Sequence, residues 1–212
     1  FLPVANDEAK NQLRCKLSLP KNINIILCVG HFSQDKSALD LLDAWLQIQD
    51  NKLEPQSAII FIGSRNTDNF EVDVDTVNKI QFKSNKFLNK YIFFVENTNK
   101  IYEYYQVSDI YVLPSLREGL PNTLLEAMSC GLPVISSNLD GITDWIINDG
   151  VDGFLFKPAN VNELRLILVK LLEDEVLRKK LGVKARETIK LRFDILFTAQ
   201  NIHNLYDKLS SK

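Results

Sequence analysis

The sequence has no large excess of charge of one sign, no long apolar run and no obvious pairs of cysteines, and each of these absences excludes a class of protein. The 25 Lys and Arg nearly balance the 27 Asp and Glu, so the formal net charge is -2 and no global field gathers nucleic acid or anionic lipid. No apolar run reaches the roughly 18 residues that a transmembrane helix requires, and no charged-then-apolar leader opens the chain. Cys15, Cys28 and Cys130 are odd in number and far apart, which favours buried thiols in the cytosol over a disulfide framework. We therefore expect a cytoplasmic protein that has no transmembrane segment and binds no nucleic acid.

Several catalytic motifs are also missing. The sequence contains no G-x-x-x-x-G-K-[ST] phosphate loop, and no G-x-G-x-x-G follows the first predicted strand. G-x-S-x-G and H-E-x-x-H are absent, and two histidines with scattered cysteines do not make a zinc site. We therefore expect neither a bound metal nor a bound cofactor.

The apolar residues that are present predict an α/β fold. An apolar content of 45% over 212 residues is enough for the core of one large domain, residues 1–212. Short runs rich in Ile, Val and Phe predict strands at 25–30, 58–63, 91–96, 110–115, 133–138 and 153–156. Apolar residues at helical spacing predict helices at 37–49, 99–107, 121–129 and 160–174, with two more near 175–190 and 195–209. This alternation predicts a Rossmann-like, doubly wound parallel sheet of about six strands.

In such sheets ligands bind at the carboxyl ends of the strands, and the segment after the fourth strand is the most unusual of these ends. Gly119 allows a sharp turn, and Pro121 has the fixed φ that suits the first turn of a helix. The backbone N–H groups of Asn122, Thr123 and Leu124 would then have no partner inside the helix. Together with the helix dipole, they predict an anion site suited to phosphate.

Two carboxylates flank this predicted anion site. Glu118 lies before the helix and Glu126 in its second turn. An ionised carboxylate only accepts hydrogen bonds and can take two neighbouring hydroxyls, as sugar and ribose rings offer. The pair is therefore expected to hold different parts of one extended ligand.

The E-x7-E spacing inside "PSLREGLPNTLLEAMSCGLPVI", followed by "DGITDWIINDGVDGFLF", resembles the donor-binding C-terminal half of GT-B glycosyltransferases of glycosyltransferase family 4, the group 1 glycosyl transferases. The resemblance implies that Glu118 contacts hydroxyls of the donor sugar and that Glu126 holds the ribose of the nucleotide. It also implies that backbone amides after the first glutamate bind the diphosphate. By position these amides belong to Leu120, Asn122, Thr123 and Leu124.

The loop after the first strand departs from the family pattern at two positions, His31 and Ser37, of which Ser37 replaces a common glycine. Family members usually carry Gly-Arg and a lysine five residues after the arginine, and both cations neutralise the leaving diphosphate. Gly30 and Lys36 match this pattern, but His31 stands where the arginine is expected. An imidazole is mostly neutral at pH 7 whereas a guanidinium is always charged, so diphosphate stabilisation is expected to be weaker or dependent on pH. Arg65 and Arg117 are candidates for the missing cation.

The resemblance implies a retaining, metal-independent hexosyltransferase that uses a UDP-, GDP- or ADP-sugar. Lys36 and the helix N-terminus would offset the charge that develops on the leaving diphosphate. The acceptor, a glycan, a lipid-linked glycan or a small molecule, would bind an N-terminal half. Because the chain starts at Phe1 and carries one set of motifs, we expect it to be the C-terminal half of a longer polypeptide and inactive alone. The missing half could make the whole protein peripheral to a membrane.

Two other functions fit the same fold. One is a GT-B nucleotide-sugar epimerase, and the other is a non-catalytic nucleotide-binding module, which the His31 substitution favours. Two further features have structural interpretations. The "DVD" segment at 73–75 is typical of a helix cap rather than a metal site, and the helical spacing of Tyr102, Tyr104 and Tyr105 indicates packing.

Overall fold

The computed structural model describes residues 1–49 and 57–210, and the strands within these ranges form one parallel sheet. They are β1 (Asn24–Val29), β2 (Ser57–Ile62), β3 (Ile92–Val95), β4 (Ile110–Leu113), β5 (Val134–Ser137) and β6 (Phe154–Phe156). Their spatial order is β3-β2-β1-β4-β5-β6, which is the order of a Rossmann fold that reverses direction between β1 and β4. The predicted fold class and all six predicted strands are confirmed.

Helices cover both faces of this sheet. They are α1 (Asp7–Lys16), α2 (Ala38–Gln49), α3 (Val74–Ser84), α4 (Ile101–Val107), α5 (Asn122–Ser129), α6 (Thr143–Ile146), α7 (Val161–Glu173), α8 (Glu175–Arg192) and α9 (Ile195–Ser210). The six helices predicted from apolar spacing are present, and α3 begins after the predicted "DVD" cap. Sequence reasoning missed α1 and α6. The first is mostly polar and the second is a single turn, so neither has the repeated apolar spacing on which the predictions relied.

The central strands β1, β2, β4 and β5 bury both of their faces, because alternate side chains enter two separate cores. On one face Ile26 and Phe61 pack with Trp45 of α2 and with apolar residues of α3 and α7. On the other face Leu27 and Tyr111 pack with apolar residues of α4, α5 and α8. The sheet is therefore a rigid platform from which the loops at its carboxyl edge project.

Side-chain caps fix where several helices begin. Asn160 caps α7 by accepting from the backbone of Glu163, and its amide donates to the Glu163 carboxylate at 3.1 Å. Asp73 caps α3 by accepting from the Thr76 N–H at 2.6 Å, which confirms the structural interpretation of the "DVD" segment. None of the helices in the described residues is both long enough and apolar enough to cross a membrane.

An ion-pair network attaches α1 to the amino end of the sheet. Asp109, just before β4, accepts from Lys10 at 2.6 Å, from the nearly buried Arg14 at 2.7 Å and from the Ile25 N–H at 2.6 Å. Burial alone would raise the pKa of the Asp109 carboxyl, but Lys10 and Arg14 outweigh burial and hold that pKa below its usual value. The carboxylate therefore stays ionised and links one helix to two strands.

Candidate functional site

The loops after β1 and β2 pack directly against each other at the carboxyl edge. The Gly30 N–H donates to the Ile62 carbonyl at 2.9 Å, and the Gly63 N–H donates to the Val95 carbonyl at 3.0 Å. Gly63 has a φ of 152°, and a Cβ there would overlap the carbonyl oxygen of Gly30. The close approach of these two backbones therefore requires glycine at position 63.

Lys36 and Glu118 meet above this edge, although 82 residues separate them in sequence. The Lys36 Nζ donates to Glu118 Oε1 at 2.7 Å, and the Ser115 hydroxyl donates to the same oxygen at 2.7 Å. The Glu118 side chain is only 8% exposed, whereas that of Lys36 is 30% exposed. Glu118 Oε2 has no hydrogen-bond partner in the described part of the chain. The carboxylate is thus held by one oxygen, and the other remains available to a ligand.

Two cavities share the wall that Lys36 and Glu118 form with His31. The α5 cavity, of about 430 Å³, lies at the start of helix α5. Its other lining residues include Gly30, Gly63, Asn97, Thr98, Leu120, Asn122 and Thr123. The α3 cavity, of about 780 Å³, lies before helix α3. Its other lining residues include Asp35, Phe70, Glu71, Asp73, Arg117 and Gly119. The structure therefore brings residues predicted from two distant loops to one place.

The start of α5 offers fewer free amides than the sequence predicted. Pro121 is the N-cap residue, and its carbonyl accepts from the Leu124 N–H at 3.0 Å. The Asn122 N–H donates to the Leu120 carbonyl at 2.9 Å. The prediction of unpartnered amides is therefore wrong for Asn122 and Leu124, because a tight turn and a 3₁₀-type first turn use both donors. The Thr123 amide has no acceptor among the described residues, and Thr123 lines the α5 cavity.

The chain bends at Gly119, as expected, but the bend does not depend on a conformation that only glycine adopts. The φ of Gly119 lies outside the left-handed region, and a Cβ at this position would have no atom within 4 Å. The fold itself therefore does not require glycine at position 119. Because Gly119 lines the α3 cavity beside Glu118, a side chain there would instead occupy ligand space.

Glu126 sits deeper than Glu118 and is not among the residues that line either cavity. It is half-buried in the second turn of α5, where Glu126 Oε2 accepts from the Tyr105 hydroxyl at 2.8 Å. Sequence reasoning assigned Tyr105 to packing alone. It is indeed fully buried, but no local sequence signal pairs it with a carboxylate 21 residues away.

His31 lies at the wall between the cavities, where the resemblance implied a diphosphate contact. The His31 Nε2 is 3.0 Å from Glu71 Oε2. His31 Nδ1 is buried and has no hydrogen-bond partner among the described residues. The imidazole is therefore in contact with a carboxylate from the loop after β2.

The two candidate cations differ in their relation to the cavities. Arg117 lines the α3 cavity, where it pairs with Asp35 at 2.7 Å, and both side chains are largely exposed. Arg65 is not among the lining residues of either cavity; it pairs with Glu96 at 3.0 Å and stacks on the Phe94 ring. Arg117 is therefore better placed than Arg65 to supply positive charge to the shared wall.

The fold is that of the C-terminal Rossmann domain of GT-B glycosyltransferases. Residues 9–188 match the family model for glycosyl transferases group 1, and the chain belongs to that family. A relative from Escherichia coli, UDP-Gal:alpha-D-GlcNAc-diphosphoundecaprenol alpha-1,3-galactosyltransferase, is 31% identical over 209 residues, which are 97% of this chain and 50% of the relative.

Solved structures agree with this assignment. Sucrose-phosphate synthase from Thermosynechococcus elongatus superposes with a TM-score of 0.82 at 27% identity, over 100% of this chain and 50% of that chain. The C-terminal domain of a glycosyl transferase group 1 family protein from Francisella tularensis superposes with a TM-score of 0.74 at 23% identity, over 92% of this chain and 96% of that one. The chain thus spans half the length of the first two proteins and nearly all of an isolated C-terminal domain.

Proposed function

We propose that this chain is the donor-binding domain of a glycosyltransferase that moves a hexosyl group from a nucleotide diphosphate sugar to an acceptor, with retention and without a metal. The observation that carries the proposal is the Lys36–Glu118 pair, 2.7 Å long, in the wall shared by the two cavities. It places a cation and a hydroxyl acceptor side by side, as a diphosphate joined to a sugar requires. The name of the Escherichia coli relative, which specifies UDP-Gal, supports a nucleotide sugar as donor.

The diphosphate is proposed to lie in the α5 cavity, against Gly30, Lys36 and the free amide of Thr123. A lysine ammonium has three donors, so Lys36 can keep its bond to Glu118 and still donate to a phosphate oxygen. The N-terminus of the eight-residue helix α5 adds the positive end of its dipole. Together these groups favour an anion in a chain whose net charge is slightly negative.

The two glutamates are proposed to bind the two hydroxyl-bearing rings of the donor. Glu118 Oε2, which is unpaired in the described residues, accepts from hydroxyls of the sugar. Glu126 accepts from the ribose, one helical turn deeper.

The catalytic step is proposed to be departure of the nucleoside diphosphate. As the bond between the sugar and the diphosphate oxygen breaks, negative charge grows on the leaving group. Lys36 and the α5 N-terminus stabilise that charge from fixed positions. The proposal assigns this task to protein groups and therefore needs no metal; retention is proposed from the family resemblance.

The acceptor is proposed to bind a second domain of the intact protein. The Escherichia coli relative is named for a diphosphoundecaprenol acceptor, which supports a lipid-linked acceptor and a position beside the membrane. Glycans and small molecules remain the other acceptor classes to test.

Calorimetry with paired ligands tests the roles of the two glutamates. Glu126→Ala is expected to weaken UDP and UDP-sugar alike, whereas Glu118→Ala weakens mainly the UDP-sugar, because only that ligand presents hydroxyls to Glu118. Loss of a hydrogen bond to a charged group predicts roughly 10- to 100-fold weaker binding. Glu187→Ala is the matched control, since Glu187 is an exposed carboxylate on α8 that pairs with Lys184. Equal losses of both ligands in the Glu118 variant would contradict the assignment.

A further inference from the structure

The hydroxyl of Tyr105 is buried beneath helix α5 and contacts a residue of the proposed donor site. Tyr105 belongs to α4, and its side chain has no exposed surface. Its hydroxyl lies 2.8 Å from Glu126 Oε2 and 3.2 Å from the Thr123 carbonyl oxygen. Burial raises the pKa of this hydroxyl well above its usual range, and the neighbouring Tyr111 and Glu126 raise it further. Tyr105 therefore remains protonated and acts as a hydrogen-bond donor.

This contact divides the two oxygens of Glu126 between two tasks. Oε2 accepts a hydrogen bond from the Tyr105 hydroxyl, whereas Oε1 has no hydrogen-bond partner within residues 1–49 and 57–210. A glutamate side chain loses considerable rotamer freedom when it is ordered. An anchor on one oxygen removes that freedom before a ligand arrives, so a ligand that binds the other oxygen gains affinity.

A second buried phenol lies beside the first and serves as an internal comparison. Tyr111 of β4 is fully buried, and its ring centroid is 5.9 Å from that of Tyr105. The Tyr111 hydroxyl donates to Thr123 Oγ1 at 2.8 Å and makes no hydrogen bond to Glu126. Both phenols thus contact Thr123, but only the Tyr105 hydroxyl is also bonded to Glu126.

We propose that Tyr105 is a positioning residue. It holds the Glu126 carboxylate by one oxygen, so that the other oxygen can accept hydrogen bonds from the ribose hydroxyls of the nucleotide sugar. The inference rests on the proposed function, because it assumes that Glu126 meets a nucleotide. It adds a residue that touches no substrate and acts only through Glu126.

A double-mutant cycle on UDP binding, measured by calorimetry on the full chain, separates positioning from general support of the fold. Tyr105→Phe keeps the ring and removes only the hydroxyl, and it is expected to weaken UDP binding about 5- to 20-fold. In the Glu126→Ala background the same change is expected to cost less than about twofold, because the group that Tyr105 positions is gone. If Tyr105 only supports the fold, Tyr105→Phe should weaken UDP binding by the same factor in both backgrounds, and that result would overturn the proposal.

Tyr111→Phe is the matched control. It also removes a buried hydroxyl under α5, but its partner is Thr123, so its effect on UDP binding should be the same with and without Glu126. If Tyr105→Phe does not fold, Glu126→Asp replaces it. A shorter carboxylate cannot reach both Tyr105 and a ribose, so its affinity should fall close to that of Glu126→Ala. Wild-type affinity in the Asp variant would overturn the inference. Absence of UDP, GDP and ADP binding by the folded wild-type chain would overturn the proposed function and this inference together.

Discussion

At the scale of single residues, two glutamates with the same sequence motif have different surroundings. Glu118 is ion-paired to Lys36 at the wall between two cavities, whereas Glu126 is bonded to a buried phenol beneath the site. The ammonium beside Glu118 and the neutral hydroxyl beside Glu126 suit different parts of a nucleotide sugar. The first suits the junction of sugar and diphosphate, and the second suits a ribose.

Replacing Lys36 tests the charge at that junction. Lys36→Ala is expected to weaken UDP binding roughly 10- to 100-fold, because the variant loses a charge-assisted bond to phosphate. Uridine, which carries no phosphate, should bind both proteins equally. Lys83→Ala is the control, since Lys83 pairs with Asp43 away from the cavities. Calorimetric titration of each variant with both ligands measures the difference. Equal weakening of uridine and UDP would show that Lys36 does not act on the phosphates.

At the scale of elements, the site depends on how closely the loops after β1, β2 and β4 approach one another. Gly63 allows the loop after β2 to contact the loop after β1, and Lys36 in the β1 loop is bonded to Glu118 in the β4 loop. Gly63 and Gly119 differ in the space that is available for a side chain. Protein backbone surrounds Gly63, whereas Gly119 faces open space.

This difference predicts opposite phenotypes for two alanine substitutions. Gly63→Ala is expected to lower the free energy of unfolding by about 1–3 kcal/mol, because its methyl group would overlap the Gly30 carbonyl. Gly119→Ala should change that free energy by less than about 0.5 kcal/mol and yet weaken binding of UDP-sugar. Urea unfolding and calorimetry measure the two effects. A destabilised Gly119 variant, or a Gly63 variant as stable as wild type, would contradict the predicted packing.

The network around Asp109 is a second link between elements, and it predicts a pH dependence. The folded-state pKa of Asp109 is lowered, so its stabilisation is complete above the unfolded-state pKa of about 3.9 and is lost as pH falls through the lower folded-state value. Asp109→Asn should cost about 3–5 kcal/mol near pH 7, because it leaves the charge of Arg14 buried without its carboxylate partner.

Urea unfolding between pH 7 and pH 2 measures this dependence. The Asn variant should lose less stability than wild type as the solution is acidified below about pH 4. Asp43→Asn removes a partly exposed partner of Lys83 and should cost less than about 1 kcal/mol at pH 7. Parallel pH profiles for wild type and the Asp109 variant would contradict the network's assigned role.

At the scale of the whole molecule, one sheet carries the site, and most of that sheet could be predicted from the sequence. Its strands are continuous runs of Ile, Val and Phe, so their positions follow from local composition. The E-x7-E motif is likewise a local pattern, and its first glutamate, Glu118, lines both cavities. Helix α1 was missed because long-range bonds from Arg14 and Lys10 to Asp109 fix it, rather than an apolar stripe.

Contacts between distant segments and local backbone angles explain what sequence reasoning missed at the site. The bond from Tyr105 to Glu126 spans 21 residues, and the contact between His31 and Glu71 joins two separate loops, so neither leaves a local pattern. The amides of Asn122 and Leu124 were wrongly predicted to be free because the turn that uses them depends on backbone angles. Sequence thus identified several residues that line the two cavities, among them Lys36 and Glu118, but not how each is held.

The most direct test of the donor-domain proposal is the thermal unfolding of the wild-type chain with UDP, GDP, ADP and their common sugar conjugates. A ligand at 100 times its Kd should stabilise the fold by about 2.7 kcal/mol, or roughly 5 to 11 °C for a domain of this size. We predict such a shift with one nucleotide family, and a smaller shift for Lys36→Ala at the same concentration. A cooperative transition that none of these ligands moves would contradict the claim that this domain carries the donor site.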